Sequence, residues 1–301
     1  MKIFDCFLFF DEEIQLDIRL NTLDKYVDEF VIVESLFSHR GKKRKPVFDI
    51  KKYTKFEKKI NYILLDKEPK NLINIKSESD PAEDYKKILN ANAREIYQRN
   101  SINIGLKNAE ANDFVIISDV DEIPNLKNIN FSNIKSKFIF FEQIFSCYKL
   151  NLYSKSLTWH GSRITKKKNL ISPQWLRDIK GKNYPFWRID TFFSKKKYGS
   201  IFFEKNGGWH FSYIKDAKGV ENKLQSTRHH IDYDLNPIGI EGIENMIKQK
   251  KIIYNFNVDQ KKNKFLNTET LKKLKFEELP EYVRLNKQKF ENWINQDESN
   301  K

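Results

Sequence analysis

Two acidic side chains separated by one residue offer the clearest chemistry in this sequence. Asp119 and Asp121 flank Val120 directly after an apolar run at residues 114–117. Because side chains alternate along an extended chain, both carboxylates should leave the tip of a buried strand on the same side. Carboxylate oxygens suit Mg²⁺ or Mn²⁺, and such an ion could neutralise a departing diphosphate. The structural alternative is a carboxylate pair that caps a helix or closes a turn before Pro124.

A glycine-rich segment forms the second candidate site. Gly207 and Gly208 would let the backbone approach a ligand closely. Trp209 offers a stacking surface, and His210 could bind a metal or donate to a phosphate. The alternative is a bulge at the start of a strand, with a core tryptophan and a hydrogen-bonded histidine.

Other charged side chains could serve a bound nucleotide. Arg94 and Gln98 lie four residues apart on a predicted helix, beside Arg99, and could reach a phosphate or form ordinary salt bridges. Glu34, at the end of a predicted strand, could accept hydrogen bonds from a ribose or a base, or could brace a loop. Asp5 lies in the first predicted strand.

Alternating strands and helices should position these groups. The predicted strands of the first half lie at residues 2–10, 30–34, 60–65 and 114–117, and the predicted helices at 12–26 and about 83–108. The second helix could be broken near Asn100. This order predicts an α/β fold with a mostly parallel, Rossmann-like sheet flanked by helices. Since ligands bind beyond the carboxyl ends of parallel strands, Asp5, Glu34 and the Asp119 segment should converge on one edge.

The second half has few predicted helices before residue 215. Its predicted strands lie at residues 138–144, 156–164, 188–193 and 201–213, and the remainder of the chain is predicted to be helical. This half should extend the sheet and shape a second side of the site. Without an internal repeat or a Gly/Ser linker, we expect one domain.

Composition indicates a folded intracellular protein. Hydrophobic residues make up 39% of the 301 residues, including 24 phenylalanines. Cys6 and Cys147 lie in apolar stretches, which predicts buried thiols and permits a reducing compartment. The apolar N-terminal run is short and interrupted by Asp5, so it is a poor signal peptide. No run approaches the roughly 18 apolar residues of a membrane-spanning helix, and we expect a cytoplasmic location without a transmembrane segment.

The net charge of +14 is carried largely by lysine runs. Such a charge fits a solvated lysine-rich face, an anionic nucleotide donor, an anionic membrane surface or nucleic acid. No nucleic-acid-binding motif accompanies it, so a nucleic-acid partner is not predicted. Peripheral contact of the basic segments with the inner face of a membrane stays open.

Several blocks taken together resemble glycosyltransferase family 17. They are residues 4–12, 19–23, 27–35, 94–99, 118–124, 172–177 and 208–212, in the family's order across about residues 3–240. The resemblance implies a GT-A fold, a nucleotide-sugar donor (UDP-GlcNAc in known members), a glycan acceptor, a divalent metal and inversion at the anomeric carbon. It assigns the metal and diphosphate to Asp119 and Asp121, with Glu122 beside them.

The resemblance also divides the chain. Residues 1–136 would form a nucleotide-sugar half and residues 137–240 an acceptor half of one domain, with a Lys-rich helical extension at residues 241–301. The candidate donor-binding residues are Asp5, Glu34, Arg94, Arg99, Glu122 and Trp209, and the candidate metal ligands are Asp119, Asp121 and His210. The membrane anchor and luminal stem of eukaryotic relatives have no counterpart here, so we expect an acceptor other than a Golgi N-glycan.

An inverting transfer also needs a base that takes the proton of the acceptor hydroxyl. The acceptor half offers Glu142, Asp178, Asp190 and Glu204. Asp190 is the first choice because it lies in a strand-like run, and Glu142 is kept beside it. A salt bridge between Asp190 and Arg188 is the alternative.

Three functions fit the sequence. The first, which we predict, is a metal-dependent inverting glycosyltransferase. The others are a transferase that glycosylates nucleic acid and a non-catalytic module that binds nucleotide sugars or carbohydrates. The prediction requires Asp119 and Asp121 to face a cleft. Carboxylates turned away from any cleft, or neutralised by basic neighbours, would count against it.

Overall fold

A computed structural model describes residues 1–185, 187–256 and 263–296 of the chain. Its strands are β1 (Ile3–Phe9), β2 (Glu29–Ser35), β3 (Ile60–Leu65), β4 (Phe114–Asp119), β5 (Glu122–Pro124), β6 (Phe138–Cys147), β7 (Leu152–Lys166), β8 (Ile201–Glu204), β9 (Gly208–Ser212) and β10 (Lys272–Lys273). Its α-helices are α1 (Glu13–Leu23), α2 (Asp84–Asn100), α3 (Ile102–Gly105), α4 (Pro173–Asp178), α5 (Asp190–Phe193), α6 (Ala217–Ser226), α7 (His230–Leu235), α8 (Gly239–Lys248) and α9 (Glu281–Leu285). Shorter 3₁₀ turns occur at Ile50–Lys59, Pro81–Glu83, Phe131–Asn133, Lys167–Asn169, Phe276–Glu278 and Lys287–Trp293.

The first four strands form a parallel sheet in the order β3-β2-β1-β4. Val31 and Ile117 lie on either side of Cys6 in this sheet, and all three side chains are completely buried. Strands covered on both faces need the continuous apolar runs that this sequence carries. The predicted α/β architecture and the four predicted strands of this half are confirmed.

The sheet as a whole is mixed, so the prediction of a mostly parallel sheet is not confirmed. β7 pairs antiparallel with both β4 and β6, and β9 pairs antiparallel with β5, whereas β6 pairs parallel with β8 and β9. Only residues 148–151 connect β6 to β7. A connection this short permits an antiparallel hairpin, because a parallel pair needs a crossover of a dozen residues or more.

The sheet curls back on itself. β5 is the last strand in the order β4-β7-β6-β9-β5, although its first residue lies only three positions after the end of β4. The edge strand β5 must therefore lie beside the carboxyl end of the central strand β4. This return places β9 and its histidine, His210, opposite Glu122 of β5.

The predicted long helix is divided into α2 and α3 at Ser101, next to the break that the sequence allowed near Asn100. Two predicted elements differ in the structure. Residues 190–193 form the helical turn α5 instead of a strand. Residues 201–213 form two strands, with Gly207 and Gly208 at the break. A Cβ on Gly208 would lie 2.3 Å from the Ile123 carbonyl oxygen, so these glycines accommodate neighbouring backbone and not a ligand.

The C-terminal part packs on the rest of the molecule. Val220 of α6 and Ile243 of α8 share a buried cluster with Phe145 of β6. Val283 and Phe290 join the main core around α1. Of the predicted extension at 241–301, residues 257–262 and 297–301 lie outside the described residues, and the domain division stays a prediction.

Two simpler expectations concern cysteines and membranes. Cys6 and Cys147 are buried free thiols, as predicted. Among the described residues, no helix combines the length and the apolar character needed to cross a bilayer.

Candidate active site

A buried arginine shapes the acidic loop at residues 118–122. Arg19 of α1 is fully buried and donates to both Asp5 oxygens, at 2.8 and 2.5 Å. It also donates to the Asp119 carbonyl at 3.0 Å and the Glu122 carbonyl at 2.7 Å. Ser118 Oγ accepts a further bond at 2.6 Å. One side chain therefore fixes the backbone on both sides of Val120.

The position of Asp5 corrects its predicted role in donor binding. Asp5 lies within β1, opposite Phe30 and Ile116, and is fully buried. Both of its oxygens are taken by Arg19. A carboxylate paired in this way inside the core neutralises the arginine and has no surface for a ligand.

A cavity of about 490 Å³ opens at the carboxyl ends of β1, β2 and β4. Asp119, Val120 and Asp121 lie on its wall, as predicted for ligands at the edge of parallel strands. Helices α2, α4 and α6 contribute further side chains. The charged lining residues are Glu12, Glu95, Asp119, Asp121 and Asp178 together with Arg99, Arg177, Lys223 and Arg228.

Asp119 lies between two arginines. Arg99 Nη1 is 3.1 Å from Oδ1, and Arg177 Nη2 is 3.2 Å from Oδ2. Burial alone would raise the pKa of Asp119, but Arg99 and Arg177 outweigh it and hold that pKa below its ordinary value. The carboxylate faces the cavity with about a third of its side chain exposed, yet its oxygens already accept from cationic donors.

Asp121 is more deeply buried and has different partners. Lys223 Nζ lies 2.9 Å from Oδ2, and His210 Nε2 lies 3.5 Å from Oδ1. Burial would raise the pKa of Asp121, but Lys223 and His210 together lower it strongly. Lys223 is also 3.2 Å from Glu12 Oε1. Asp119 and Asp121 both line the cavity, as a metal site requires. Both also pair with basic side chains, which counts in part against a metal site.

Glu122 is a bracing residue and not a ligand-facing one, which corrects its predicted role. Its side chain is fully buried. Arg177 donates to both of its oxygens at 2.7 and 2.8 Å, and Trp159 Nε1 donates to Oε1 at 2.7 Å. Glu122 therefore holds Arg177 and Trp159, two cavity residues, in fixed orientations.

Three more residues predicted to bind the donor lie away from the cavity. Glu34 is fully buried and accepts from Arg44 at 2.8 Å and from Tyr62 at 2.8 Å, so it braces the loop after β2. Arg94 pairs with Glu68 at 2.5 Å. Trp209 donates to the Glu278 carbonyl at 2.8 Å. Of the predicted donor-binding residues, only Arg99 lines the cavity.

Neither predicted base lies on the cavity wall. Asp190 is on α5, where it pairs with Arg188 at 2.8 Å and Lys197 at 2.9 Å, as in the salt-bridge alternative. Glu142 lies 3.7 Å from His160. Asp178, at the end of α4, does line the cavity, and about a third of its side chain is exposed. Of the four carboxylates that the sequence offered in the acceptor half, Asp178 is therefore the one on the cavity wall.

Several charged cavity residues escaped the sequence prediction, namely Glu12, Glu95, Lys223 and Arg228. Glu95 lies four residues before Arg99 on α2 and pairs with it at 2.7 Å, a spacing that could have revealed it. Lys223 is 102 residues from its partner Asp121. Among 55 lysines and arginines, nothing local distinguishes Lys223.

A cavity at the carboxyl edge of an α/β sheet, lined by convergent polar and charged side chains, is the usual position of a ligand-binding site in such folds. The sequence model of glycosyltransferase family 17 matches residues 1–162, more than half of the chain. The chain belongs to glycosyltransferase family 17, and it is accordingly a glycosyltransferase that uses a sugar donor and a glycan acceptor. The matched segment includes Asp119, Asp121 and Trp159. No curated protein matches the chain.

Proposed function

We propose that this glycosyltransferase has a GT-A fold, depends on a divalent metal, uses UDP-GlcNAc and inverts the anomeric carbon. The observation that carries the proposal is the position of Asp119 and Asp121, within the family-matched segment, on the wall of one cavity. The cavity volume of about 490 Å³ lies within the range of roughly 300–1,000 Å³ typical of small-molecule sites. The choice of UDP-GlcNAc rests on the resemblance to the family.

The chemistry of the lining residues fits a metal held partly by the substrate. Asp121 Oδ1 and His210 Nε2 are 3.5 Å apart, which is long for a hydrogen bond, and both residues line the cavity. Within the described ranges, no group of three or more His, Cys, Asp or Glu residues could hold a metal by itself. Mg²⁺ commonly takes one or two protein ligands and completes its shell with phosphate oxygens and water. We therefore assign Asp121 and His210 as the ligands, with Asp119 beside them.

The balance of charge on the wall supports a metal requirement. The lining includes five carboxylates but only four arginines and lysines, so it has no excess of positive charge before its histidines are counted. A nucleotide diphosphate is strongly anionic. Although the whole chain carries +14, this cavity would need an added cation to favour such a ligand. When bound, a divalent cation would offset the charge that develops on the leaving diphosphate.

The protein's own cations would orient the donor. Arg99 and Arg177 point at the cavity from α2 and α4, and their existing bonds to Asp119 and Glu122 restrict their rotation. Side chains fixed before the substrate arrives lose little further freedom on binding. Trp159 provides an apolar surface on the same wall, onto which the C–H face of a sugar ring could pack.

Asp178 is the proposed base. In an inverting transfer the acceptor oxygen bonds to the anomeric carbon, the bond from that carbon to the diphosphate breaks, and the hydroxyl proton passes to a carboxylate. Burial opposes ionisation of Asp178, but hydrogen bonds from Lys196 and Gln174 hold its pKa below the ordinary value. Asp178 is therefore deprotonated at neutral pH. Glu95, another lining carboxylate, is paired with two arginines, Arg99 and Arg228, whereas Asp178 has one cationic partner, Lys196.

Replacing Asp178 with asparagine tests this function. We expect kcat for UDP-GlcNAc-dependent transfer to fall about 10²–10⁴-fold, because the proton acceptor is lost, while the donor KM stays within about threefold. Release of UDP with Mn²⁺ present measures both constants. Asp190→Asn is the matched control, since its carboxylate is exposed and off the cavity, and it should keep wild-type rates. Half of wild-type kcat in Asp178→Asn would reject the base, and no turnover of any nucleotide sugar by the wild type would reject the function.

A further inference from the structure

A short segment beside α4 exposes an unusual concentration of large apolar side chains. Trp187, Ile189, Phe192 and Phe193 are 66%, 70%, 78% and 86% exposed. Scattered exposed apolar residues are normal on a soluble protein, but four within seven positions form a patch that usually marks an interaction site. We call residues 187–197 the aromatic–basic loop.

The same loop is strongly basic. Arg188, Lys195, Lys196 and Lys197 contribute four cations, against one carboxylate, Asp190. Both Asp190 oxygens are already paired, with Arg188 and Lys197. The loop therefore presents a net positive charge next to its apolar side chains. A patch that binds an apolar protein surface would not need this positive charge.

We propose that the aromatic–basic loop docks on the surface of an anionic lipid bilayer. Bulky aromatic side chains beside lysines and arginines are typical of segments that lie at a membrane interface, where the rings enter the headgroup region and the cations meet acidic lipids. Charge complementarity selects this occupant. A second copy of a chain with a net charge of +14 would be repelled, and nucleic acid would make little use of the exposed Ile189.

The loop is tied to the wall of the cavity. Trp175 Nε1 donates to the Lys195 carbonyl at 2.7 Å, and the Lys180 amide donates to the Lys196 carbonyl at 2.8 Å. Lys196 Nζ lies 2.8 Å from Asp178, which lines the cavity. Helix α4 thus connects the aromatic–basic loop to the active site, and docking would place the enzyme where lipid-linked saccharides are available.

Cosedimentation with vesicles tests the docking of the full chain. We expect the wild type to sediment with phosphatidylcholine vesicles that contain 30% phosphatidylglycerol, at least about tenfold more strongly than with phosphatidylcholine alone, and to be released by 0.5 M NaCl. The double variant Phe192→Ser/Phe193→Ser should bind the anionic vesicles at least about tenfold more weakly, because two interfacial rings are lost. Both side chains are exposed, so the fold should be unaffected.

The matched control removes exposed apolar residues elsewhere. Leu235→Ser/Leu285→Ser changes two leucines that are 63% and 78% exposed on α7 and α9. This variant should bind anionic vesicles like the wild type, and both double variants should melt within about 2 °C of it. Equal vesicle binding by both variants would overturn the proposal, and so would a wild type that does not bind the anionic vesicles, whether or not it binds a single-stranded oligonucleotide.

Discussion

Replacing Arg19 with methionine should destabilise the protein by about 3–5 kcal/mol, because the variant leaves the fully buried Asp5 without its cation. The loss also frees the carbonyls of Asp119 and Glu122, to which Arg19 donates. For a chain of 301 residues, the unfolding midpoint should fall by about 5–8 °C. Thermal unfolding followed by circular dichroism measures this shift.

The control for this variant is Arg188→Met. Arg188 also pairs with an aspartate, but its side chain is half exposed, and exposed pairs contribute little. It should melt within about 2 °C of the wild type. The double variant Asp5→Asn/Arg19→Met should be less destabilised than the two single changes added together, since they share one interaction. If Arg19→Met melts with the wild type, the buried arginine does not support the acidic loop.

Replacing Asp121 with asparagine should lower kcat/KM for transfer about 10²–10³-fold. The change removes the negative charge with which Asp121 would bind a divalent metal. A bound metal would stabilise the departing diphosphate by several kcal/mol. The fold should survive, because asparagine keeps the size of the side chain and Lys223 retains Glu12 as a partner at 3.2 Å. Initial rates of UDP release at saturating Mn²⁺ measure the effect.

Glu34→Gln provides the comparison for Asp121→Asn. Glu34 was also predicted to contact the donor, but in the structure it is buried against Arg44 and Tyr62 away from the cavity. This variant should lose stability with little change in kcat/KM at a temperature where it is folded. An Asp121→Asn enzyme within tenfold of wild-type kcat/KM would remove Asp121 from the mechanism.

Local sequence patterns correctly predicted the four parallel strands of the first half, β1 to β4. Apolar runs of four or five residues identified β1 to β4, and the position of Asp119 and Asp121 at the end of β4 followed directly. Antiparallel pairing in the second half was not predictable in the same way. Whether β7 folds back on β6 depends on turn geometry and long-range pairing, which residue periodicity does not encode.

The roles of individual carboxylates were harder to predict than their positions. Asp5, Glu34 and Glu122 were each placed near a strand end, but each pairs with an arginine. These arginines are the fully buried Arg19 and the largely buried Arg44 and Arg177 respectively. These partners lie between 10 and 55 residues away along the chain. Spacing along a sequence cannot show which carboxylate a distant arginine will neutralise. The predicted metal, donor and cytoplasmic location remain predictions.

The most direct test of the central claim is the binding of UDP to the wild type and to Asp121→Asn, measured by calorimetry with and without Mn²⁺. We expect Mn²⁺ to strengthen UDP binding by the wild type at least about tenfold, because the cavity wall has no excess cation to offset the diphosphate. In Asp121→Asn most of that gain should disappear. UDP binding that is equally tight without metal, or a gain from Mn²⁺ that Asp121→Asn fully retains, would contradict a metal–diphosphate site at this acidic loop.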